Sequence, residues 1–207
     1  MLGGMWALAH APDRDDLPRE DHFVVLSGVT WADYQRLLEV RGDRSAPRIT
    51  YLEGRLEIMS PSRTHESIKS LIGRLIETYC LERDIEFSTF GSWTIEDKAV
   101  DRGAEPDECY VFSGAPDPTR PDLAIEVVWT SGGINKLDVY RALGVREVWY
   151  WRKGRITPFV LRAQAYEEVQ TSEALPEIDL AELGSFLDRP TTSAAIRAYR
   201  EALRARR

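Results

Sequence analysis

The most regular pattern of apolar positions in the chain follows Thr64. Its apolar residues are spaced three and four positions apart, as on one face of an α-helix: Ile68, Leu71, Ile72, Leu75, Ile76 and Tyr79. The pattern predicts a long amphipathic helix that packs this stripe against a core. A shorter helix is predicted for WADYQRLLEVRG, because Thr30 and Asp33 have capping-box spacing and Gly42 is a typical helix end.

Short apolar runs bounded by turn residues predict several strands. The segment ITYLEGRLEIMSP, from residue 49 onward, is typical of two strands joined by a turn at Glu53-Gly54. Further strands are predicted at IEFSTF, at SWTIE and at about 108–112, 123–129, 145–151, 156–161 and 166–169. Polar runs such as DKAVDRGAE and GAPDPTRP predict the loops between them.

Helical segments alternate with these strands in the second half of the chain. Residues 135–143 follow a glycine-rich turn at 131–133, and Gly144 has the position that closes a helix. AELGSFL and the arginine-rich TSAAIRAYREALRARR predict two C-terminal helices. The alternation predicts an α/β architecture, in which a mixed β-sheet is flanked by helices.

The same patterns predict a single domain. No internal repeat or low-complexity linker divides residues 22–207, whose core is expected at about 48–161 and whose C-terminal helices are expected at 179–207. Residues 1–21 end in the charged run DRDDLPRED and show no periodicity. They predict a mobile N-terminal leader.

Composition narrows the class of protein. The chain has 207 residues, of which 43% are apolar and 29% charged, as is typical of a globular domain and not of a disordered chain. A net charge of −7 argues against broad, charge-driven nucleic-acid binding, but the arginine-rich C-terminal segment leaves room for local phosphate contacts. Cys80 and Cys109 belong to no metal or disulfide motif, and no stretch has the length of a membrane span. A cytoplasmic protein is therefore expected.

The candidate chemistry lies between Glu105 and Trp151. Glu126 stands inside the apolar run 123–128, where an unpaired ionised side chain costs several kcal/mol, roughly, to bury. Asp107 opens the neighbouring strand, and Lys136 lies on the helix that follows. If the two strands pair, the three side chains converge at one place.

Such a group of side chains suits a divalent cation. Two carboxylates a few ångströms apart repel by ~4 kcal/mol at an effective dielectric constant of about 20, and a cation removes that repulsion. Mg²⁺ typically takes one or two carboxylates together with water and substrate phosphate. A lysine beside it can orient or help to deprotonate the attacking water and can stabilise negative charge on the phosphate. The pattern therefore indicates a magnesium site that a phosphate can share.

Each of the three residues also has a purely structural interpretation. An aspartate after a proline, as at Asp107, is typical of a turn. Glu126 is compatible with an edge strand that faces solvent, and Lys136 with an exposed helix position.

The same holds for their neighbours. His65 is compatible with a first-turn cap and with a phosphate ligand. Glu57 can pair with Arg55, and Tyr140 and the run 149–151 favour core aromatics over base-stacking platforms. The C-terminal arginines are compatible with a solvated helix face and with contacts to a DNA backbone.

Two sets of motifs carry a family resemblance. Pro106-Asp107, the run 126–128 and a following lysine resemble the PD-(D/E)XK nuclease signature with its lysine displaced. More closely, YLEGRLEIMSPSRTHE (51–66), EPD (105–107), LAIEVV (123–128) and KLDVYRALGVREVWYW (136–151) resemble the Uma-two family of small restriction-endonuclease-like proteins. The resemblance covers roughly residues 48–151, and the order and spacing of the motifs are more specific than any one of them.

The resemblance implies a restriction-endonuclease-like α/β core and Mg²⁺- or Mn²⁺-dependent hydrolysis of phosphodiester bonds in DNA. By position, Asp107 and Glu126 would be catalytic metal ligands. Lys136 would take the part of the catalytic lysine, since Val128 occupies the place where the superfamily pattern has it.

The resemblance further implies an accessory acidic group, Glu57 or alternatively Glu66. Thr50 departs from the pattern, because many members have an acidic residue at that place. Together with the acidic body, this departure leaves open a second hypothesis, a catalytically inactive nuclease-fold module that acts as a binding or assembly protein. A homodimer or higher homo-oligomer is expected, because two copies would address the two strands of a duplex.

Overall fold

The structure is a computed structural model that describes residues 20–91, 93–112, 114, 117–129 and 133–206. Most of the predicted leader and the first two residues of the predicted turn at 131–133 lie outside the described residues. The helices of the described residues are α1 (Trp31–Arg41), α2 (Arg63–Glu82), α3 (Lys136–Leu143), α4 (Leu180–Ser185) and α5 (Thr192–Arg204). None of them combines the length and the apolarity that a membrane crossing requires.

The strands of the described residues are β1 (His22–Ser27), β2 (Arg48–Leu52), β3 (Arg55–Ser60), β4 (Ser88–Thr89), β5 (Ile95–Asp97), β6 (Arg102–Ala104), β7 (Glu108–Val111), β8 (Leu123–Val127), β9 (Glu147–Arg152), β10 (Arg155–Arg162) and β11 (Ala165–Glu168). They form a five-stranded sheet, ordered β1-β3-β2-β6-β5, and a six-stranded sheet, ordered β11-β10-β9-β8-β7-β4. The predicted α/β class with a mixed sheet is confirmed.

The strands divide between two sheets where the sequence predicts one. Only the six-stranded sheet is mixed, because β8 and β9 run parallel while the other described pairs are antiparallel. The predicted hairpin is present as β2 and β3, but it pairs with β1 and β6 and forms the separate sheet. Periodicity reveals which residues are extended and does not reveal which strands are partners, so the second sheet was not predictable from it.

Alternating residues of β8 serve two different cores. Leu123, Ile125 and Val127 are buried in a cluster with the apolar stripe of α2 and with residues of α4 and α5. Ala124 lies in a second cluster, with Val139, Tyr140 and Leu143 of α3 and the neighbouring Ile134. Because successive side chains of a strand point to opposite faces, Glu126 shares the face of Ala124 and points towards α3.

Helices α2 and α5 are joined by ion pairs. Glu82, in the last turn of α2, accepts hydrogen bonds from Nε of Arg200 at 2.6 Å and from Nε of Arg204 at 2.9 Å. The hydrogen bonds from Arg204 and Arg200 lower the pKa of Glu82 to about 2. Arg206 contacts Glu182 at 2.9 Å. Three of the C-terminal arginines therefore bind carboxylates of the protein itself.

These contacts predict a pH-dependent contribution to stability. Replacing Glu82 by Gln should lower the melting temperature at pH 7. In the unfolded chain a glutamate takes up its proton near pH 4.5, whereas folded Glu82 takes it up near pH 2. The difference in melting temperature between the wild type and Glu82→Gln is therefore fully present above pH 4.5. It should disappear as the pH falls towards 2. Thermal melts of Glu82→Gln across this range measure it, with the exposed Glu201→Gln as control. A constant difference between wild type and Glu82→Gln would contradict the assignment.

Candidate active site

Glu126 is buried on β8 between two donors from α3. It is 2% exposed. Nζ of Lys136 donates to its Oε2 at 2.6 Å, and the hydroxyl of Tyr140 donates to its Oε1. Lys136 and Tyr140 are four residues apart, so they lie on the same side of the helix. Helix α3 begins soon after β8 and returns along the sheet face that carries Glu126, which explains how sequence neighbours meet there.

Asp107 lies beside Glu126 because β7 and β8 are antiparallel. Their register pairs Glu108 with Ile125, which places residue 107 opposite residue 126. Asp107 is fully buried. Its Oδ2 accepts from the backbone N–H of Val127 at 2.6 Å and lies 2.9 Å from Nε2 of His65. The predicted convergence of Asp107, Glu126 and Lys136 is therefore present in the structure.

A buried arginine that sequence reasoning missed completes the environment of Asp107. Nη1 of Arg48 donates to Oδ1 of Asp107 at 2.5 Å, and Nη2 donates to Oε1 of Glu66 at 2.7 Å. Arg48 opens β2 and is 2% exposed. A charged residue at the start of a mostly apolar strand was the available signal, but such a position is usually a solvated strand end.

His65 links this arrangement to the first described residues. Its Nδ1 lies 2.8 Å from Oδ2 of Asp21, and Oδ1 of Asp21 accepts from the backbone N–H of Ser62 at 2.7 Å. Burial lowers the pKa of His65, but its hydrogen bonds to Asp107 and Asp21 outweigh burial and raise the pKa to about 9. His65 is thus a cation held between two carboxylates. Asp21, at the end of the predicted leader, is fixed by these contacts.

The two central carboxylates have opposite pKa shifts. Burial would raise the pKa of Asp107, but the charge of Arg48 and the hydrogen bond from His65 hold it well below its usual range. Burial raises the pKa of Glu126 to about 7, because the attraction of Lys136 is partly offset by repulsion from Asp107. For Lys136, burial is outweighed by the charges of Glu126 and Asp107, which raise its pKa. Lys136 is therefore an ammonium cation.

The segment EPD connects the two sheets. Glu105 is fully buried, and its Oε2 accepts from the backbone N–H of Ile49 on β2 at 2.9 Å, while Arg41 donates to its other oxygen. Asp107, two residues later, accepts from Val127 at the end of β8. Glu105 therefore binds the five-stranded sheet, and Asp107 binds both sheets, through Arg48 of β2 and Val127 of β8.

Glu57, the predicted accessory acid, binds the segment that leads into α3. It is 7% exposed, and its Oε2 accepts from the backbone N–H of Ile134 at 2.8 Å. A Cβ atom added to Gly133 would lie 1.7 Å from the same oxygen, so the carboxylate of Glu57 can keep its present position only beside a glycine. The register of β2 and β3 places Glu57 directly opposite Thr50.

The alternative accessory acid, Glu66, is less buried. Besides Arg48 it contacts Nζ of Lys69 at 3.4 Å, and its side chain is 43% exposed. Helix α2 begins at Arg63, and the side chain of its N-cap Ser62 accepts from the backbone N–H of His65. The backbone N–H of His65 thus caps the helix through Ser62, while its imidazole contacts Asp21 and Asp107.

A cleft of about 310 Å³ opens beside Glu126. Glu126, Lys136, Glu57 and Asp21 contribute to its lining, and Asp107 does not. In the candidate site, Glu126 is therefore reached from the cleft, whereas Asp107 is buried behind it.

The donor chemistry of this site fits a hard divalent cation. Among residues 20–206 that the structure describes, no cluster of three acidic, histidine or cysteine side chains could hold a metal ion. Mg²⁺ needs only one or two carboxylates, its other ligands being water and phosphate. Burial and repulsion from Asp107 raise the pKa of Glu126 and so disfavour its ionised form, which a bound cation would favour. Asp107 and Glu126 are the side chains that would hold the ion.

The comparisons with known proteins identify a class of nuclease-like proteins. A family model with the description "Putative restriction endonuclease" matches residues 31–188. The protein belongs to this family, Uma2, and the resemblance inferred from the motifs is confirmed. Membership supports a nuclease, and restriction-endonuclease-like families generally use divalent metal ions. Strand β1 and helix α5 lie outside the matched residues.

Among solved structures, the protein is similar to one whose title names a "putative nuclease belonging to DUF820" from Anabaena variabilis. The two chains are 17% identical, the alignment covers 78% of this chain and 96% of the other, and the TM-score is 0.46. No curated protein matches the sequence.

The buried ion pair between Arg48 and Asp107 predicts a large effect on stability. Replacing Arg48 by Met should lower the free energy of unfolding by about 3–5 kcal/mol, because it leaves the buried carboxylate without its strongest partner. Urea unfolding followed by circular dichroism measures the change. The matched control is Arg155→Met, since Arg155 and its partner Glu168 are both exposed and such a pair contributes at most about 1 kcal/mol. Equal effects of the two substitutions would disprove the assigned role of Arg48.

Proposed function

We propose that the protein is a divalent-metal-dependent endonuclease that hydrolyses phosphodiester bonds of DNA. The observation that carries this proposal is the meeting of Asp107 and Glu126, from neighbouring strands, with the ammonium group of Lys136 at 2.6 Å from Glu126. By the resemblance of the motifs, these residues would correspond to the metal ligands and the displaced lysine of the family pattern. Membership of the Uma2 family supports the same function.

The two carboxylates would hold Mg²⁺ or Mn²⁺ at the inner end of the cleft. A bound divalent ion would withdraw charge from a phosphate oxygen and favour ionisation of the attacking water. Glu126 lines the cleft, so its carboxylate faces the substrate. The backbone N–H of Val127 fixes the orientation of Asp107. The pKa of Asp107, held low by Arg48 and His65, keeps this ligand ionised at neutral pH.

Lys136 would act through its positive charge. Because the charges of Glu126 and Asp107 raise its pKa, it carries a proton at neutral pH and is suited to stabilise a phosphate that gains negative charge. Tyr140 holds the other oxygen of Glu126 and acts as a positioning residue. Glu57 would contribute by fixing the backbone at Ile134, two residues before Lys136.

The central prediction concerns the carboxylate at the cleft. Glu126→Gln should lower the rate of DNA cleavage in Mg²⁺ or Mn²⁺ by about a hundredfold or more, because a metal ligand is lost while the shape of the side chain is kept. A plasmid-nicking assay measures the rate, and circular dichroism verifies the fold. The exposed Glu39→Gln, on α1, should cleave at the wild-type rate. Wild-type cleavage by Glu126→Gln would refute the assignment.

Lys136 allows metal binding and chemistry to be separated. Lys136→Met should lower the cleavage rate by about 10²–10³-fold, because the charge that stabilises the phosphate is lost. The same substitution frees Oε2 of Glu126, so the affinity for Mn²⁺ in isothermal titration calorimetry should be equal to or higher than that of the wild type. If Lys136→Met lost Mn²⁺ binding together with cleavage, the lysine would have a structural role in the site.

One observation favours the second candidate function, an inactive nuclease-fold module that acts as a binding or assembly protein. Each carboxylate oxygen of Asp107 and Glu126 already contacts a donor of the protein, so an incoming cation would have to displace some of them. A wild-type protein that neither binds Mn²⁺ in calorimetry nor cleaves DNA would establish this alternative over the nuclease.

We further infer that the protein forms a homo-oligomer and acts in the cytoplasm. A dimer or higher homo-oligomer would present two sites to the two strands of DNA, and sedimentation of the purified protein tests it. Cys80 and Cys109 are buried free thiols, as is typical of proteins in the reducing cytoplasm.

A further inference from the structure

Two exposed aromatic side chains line the cleft beside the candidate active site. Phe23 is 39% exposed and Trp129 is 42% exposed, and both belong to the cleft that Glu126 and Lys136 also line. They come from separate parts of the fold, Phe23 from the edge strand β1 and Trp129 from the residues that follow β8. Large aromatic side chains are more often buried, so two of them at one cleft form an apolar surface that a ligand could cover.

Both side chains are supported by the protein. The indole of Trp129 packs edge-on against that of Trp151, with ring centroids 5.0 Å apart, and Trp151 is itself buried. Phe23 pairs across the strands with Met59, and both line the cleft. Each of the two aromatic residues therefore has a neighbour in the protein, and each keeps part of its surface exposed at the same cleft.

The cleft carries charges of both signs, because Asp21, Glu57 and Glu126 line it together with two cations. Lys136 and the exposed Arg152 both line it, at the end of the fold where β8 and β9 finish. Aromatic side chains next to cations are the combination that binds single-stranded nucleic acid, because bases stack on the rings while cations contact the phosphates. A B-form duplex keeps its bases stacked on one another and offers no free base face to such rings.

The size of the cleft favours one nucleotide over a duplex. Its volume of about 310 Å³ is close to the lower end of the range for small-molecule sites, about 300–1,000 Å³. The protein has a net charge of −7, so it lacks the broad basic surface that binds a duplex by its phosphates alone.

We propose that this cleft binds an unpaired nucleotide of DNA, with its base stacked against Trp129 and Phe23 and its phosphate towards Lys136 and Arg152. The substrate class is then single-stranded DNA, or the unpaired part of a branched or frayed duplex. This inference rests on the proposed nuclease function, since it assigns the substrate of the same site. Phe23 lies outside the residues that the family model matches, and Trp129 lies inside them.

The test compares binding of a labelled oligothymidylate with binding of a duplex of equal length. Fluorescence anisotropy is measured in Ca²⁺, with the full-length protein and with the folded state of each variant verified by thermal melts. The wild type should bind the single strand more tightly than the duplex. Trp129→Ala and Phe23→Ala should each weaken single-strand binding about fivefold or more, and Trp129→Phe, which keeps a ring, should restore most of it.

The matched control is Leu26→Ala. Leu26 lies on the same edge strand as Phe23 and is 43% exposed, but it lies on the opposite face of the sheet. This substitution should leave the affinity for the oligothymidylate unchanged. If Leu26→Ala weakened binding as much as Phe23→Ala, the effect would belong to the strand and the proposed stacking site would be overturned.

The outcomes separate this inference from the proposed function. If binding depends on Trp129 and Phe23 but no cleavage occurs in Mg²⁺ or Mn²⁺, the nuclease proposal is refuted and the nucleotide-binding site is supported. If the protein cleaves duplex DNA and neither Trp129→Ala nor Phe23→Ala changes the rate, the nucleotide-binding site is refuted and the nuclease proposal is supported. Should Trp129→Ala fail to fold, Phe23→Ala and Trp129→Phe decide the question, and equal affinity for single strand and duplex overturns the proposal.

Discussion

The ion pair between Arg48 and Asp107 is the contact on which the arrangement of the two sheets depends. Arg48 belongs to β2 of the five-stranded sheet, and Asp107 lies at the start of β7 in the six-stranded sheet. Both side chains are removed from water, so separating them would leave a buried charge without its closest partner. The packing of the sheets that is observed brings these two charges together. His65, from the helix that covers the six-stranded sheet, strengthens the same restriction because it is a second cation on Asp107.

A buried ion pair of this kind contributes more to specificity than to net stability. The desolvation of two charges offsets most of their attraction, and well-packed apolar residues would stabilise a core at least as well. Its effect is geometric, because carboxylate oxygens have fixed directions and the guanidinium group is planar. With Asp107 fixed, the antiparallel register of β7 and β8 fixes the position of Glu126, and α3 then carries Lys136 and Tyr140 to it. The candidate site is thus a continuation of the contact that joins the sheets.

The sequence predicted the parts of this fold that have a local cause. The apolar stripe of α2 and the capping box of α1 were correct, because spacing and caps act within one element. Glu126 was recognisable since an acid inside an apolar run needs compensation. Strands β1 and β6 were missed, because β1 exposes most of its residues and β6 is a three-residue strand with a central glycine. Arg48 was missed for a different reason, since its partner is 59 residues away and no local pattern reveals such a pair.

Gly133 leaves room for the contact between Glu57 of β3 and the peptide that leads into α3. A single methyl group at that position would occupy the space of the Glu57 carboxylate, which holds the peptide before α3. With any larger residue the flexible end of Glu57 would have to move, and its hydrogen bond to the N–H of Ile134 would be disturbed. The support that Glu57 gives to the peptide leading to Lys136 therefore depends on a missing side chain three positions before that lysine, on a residue that carries no chemistry of its own.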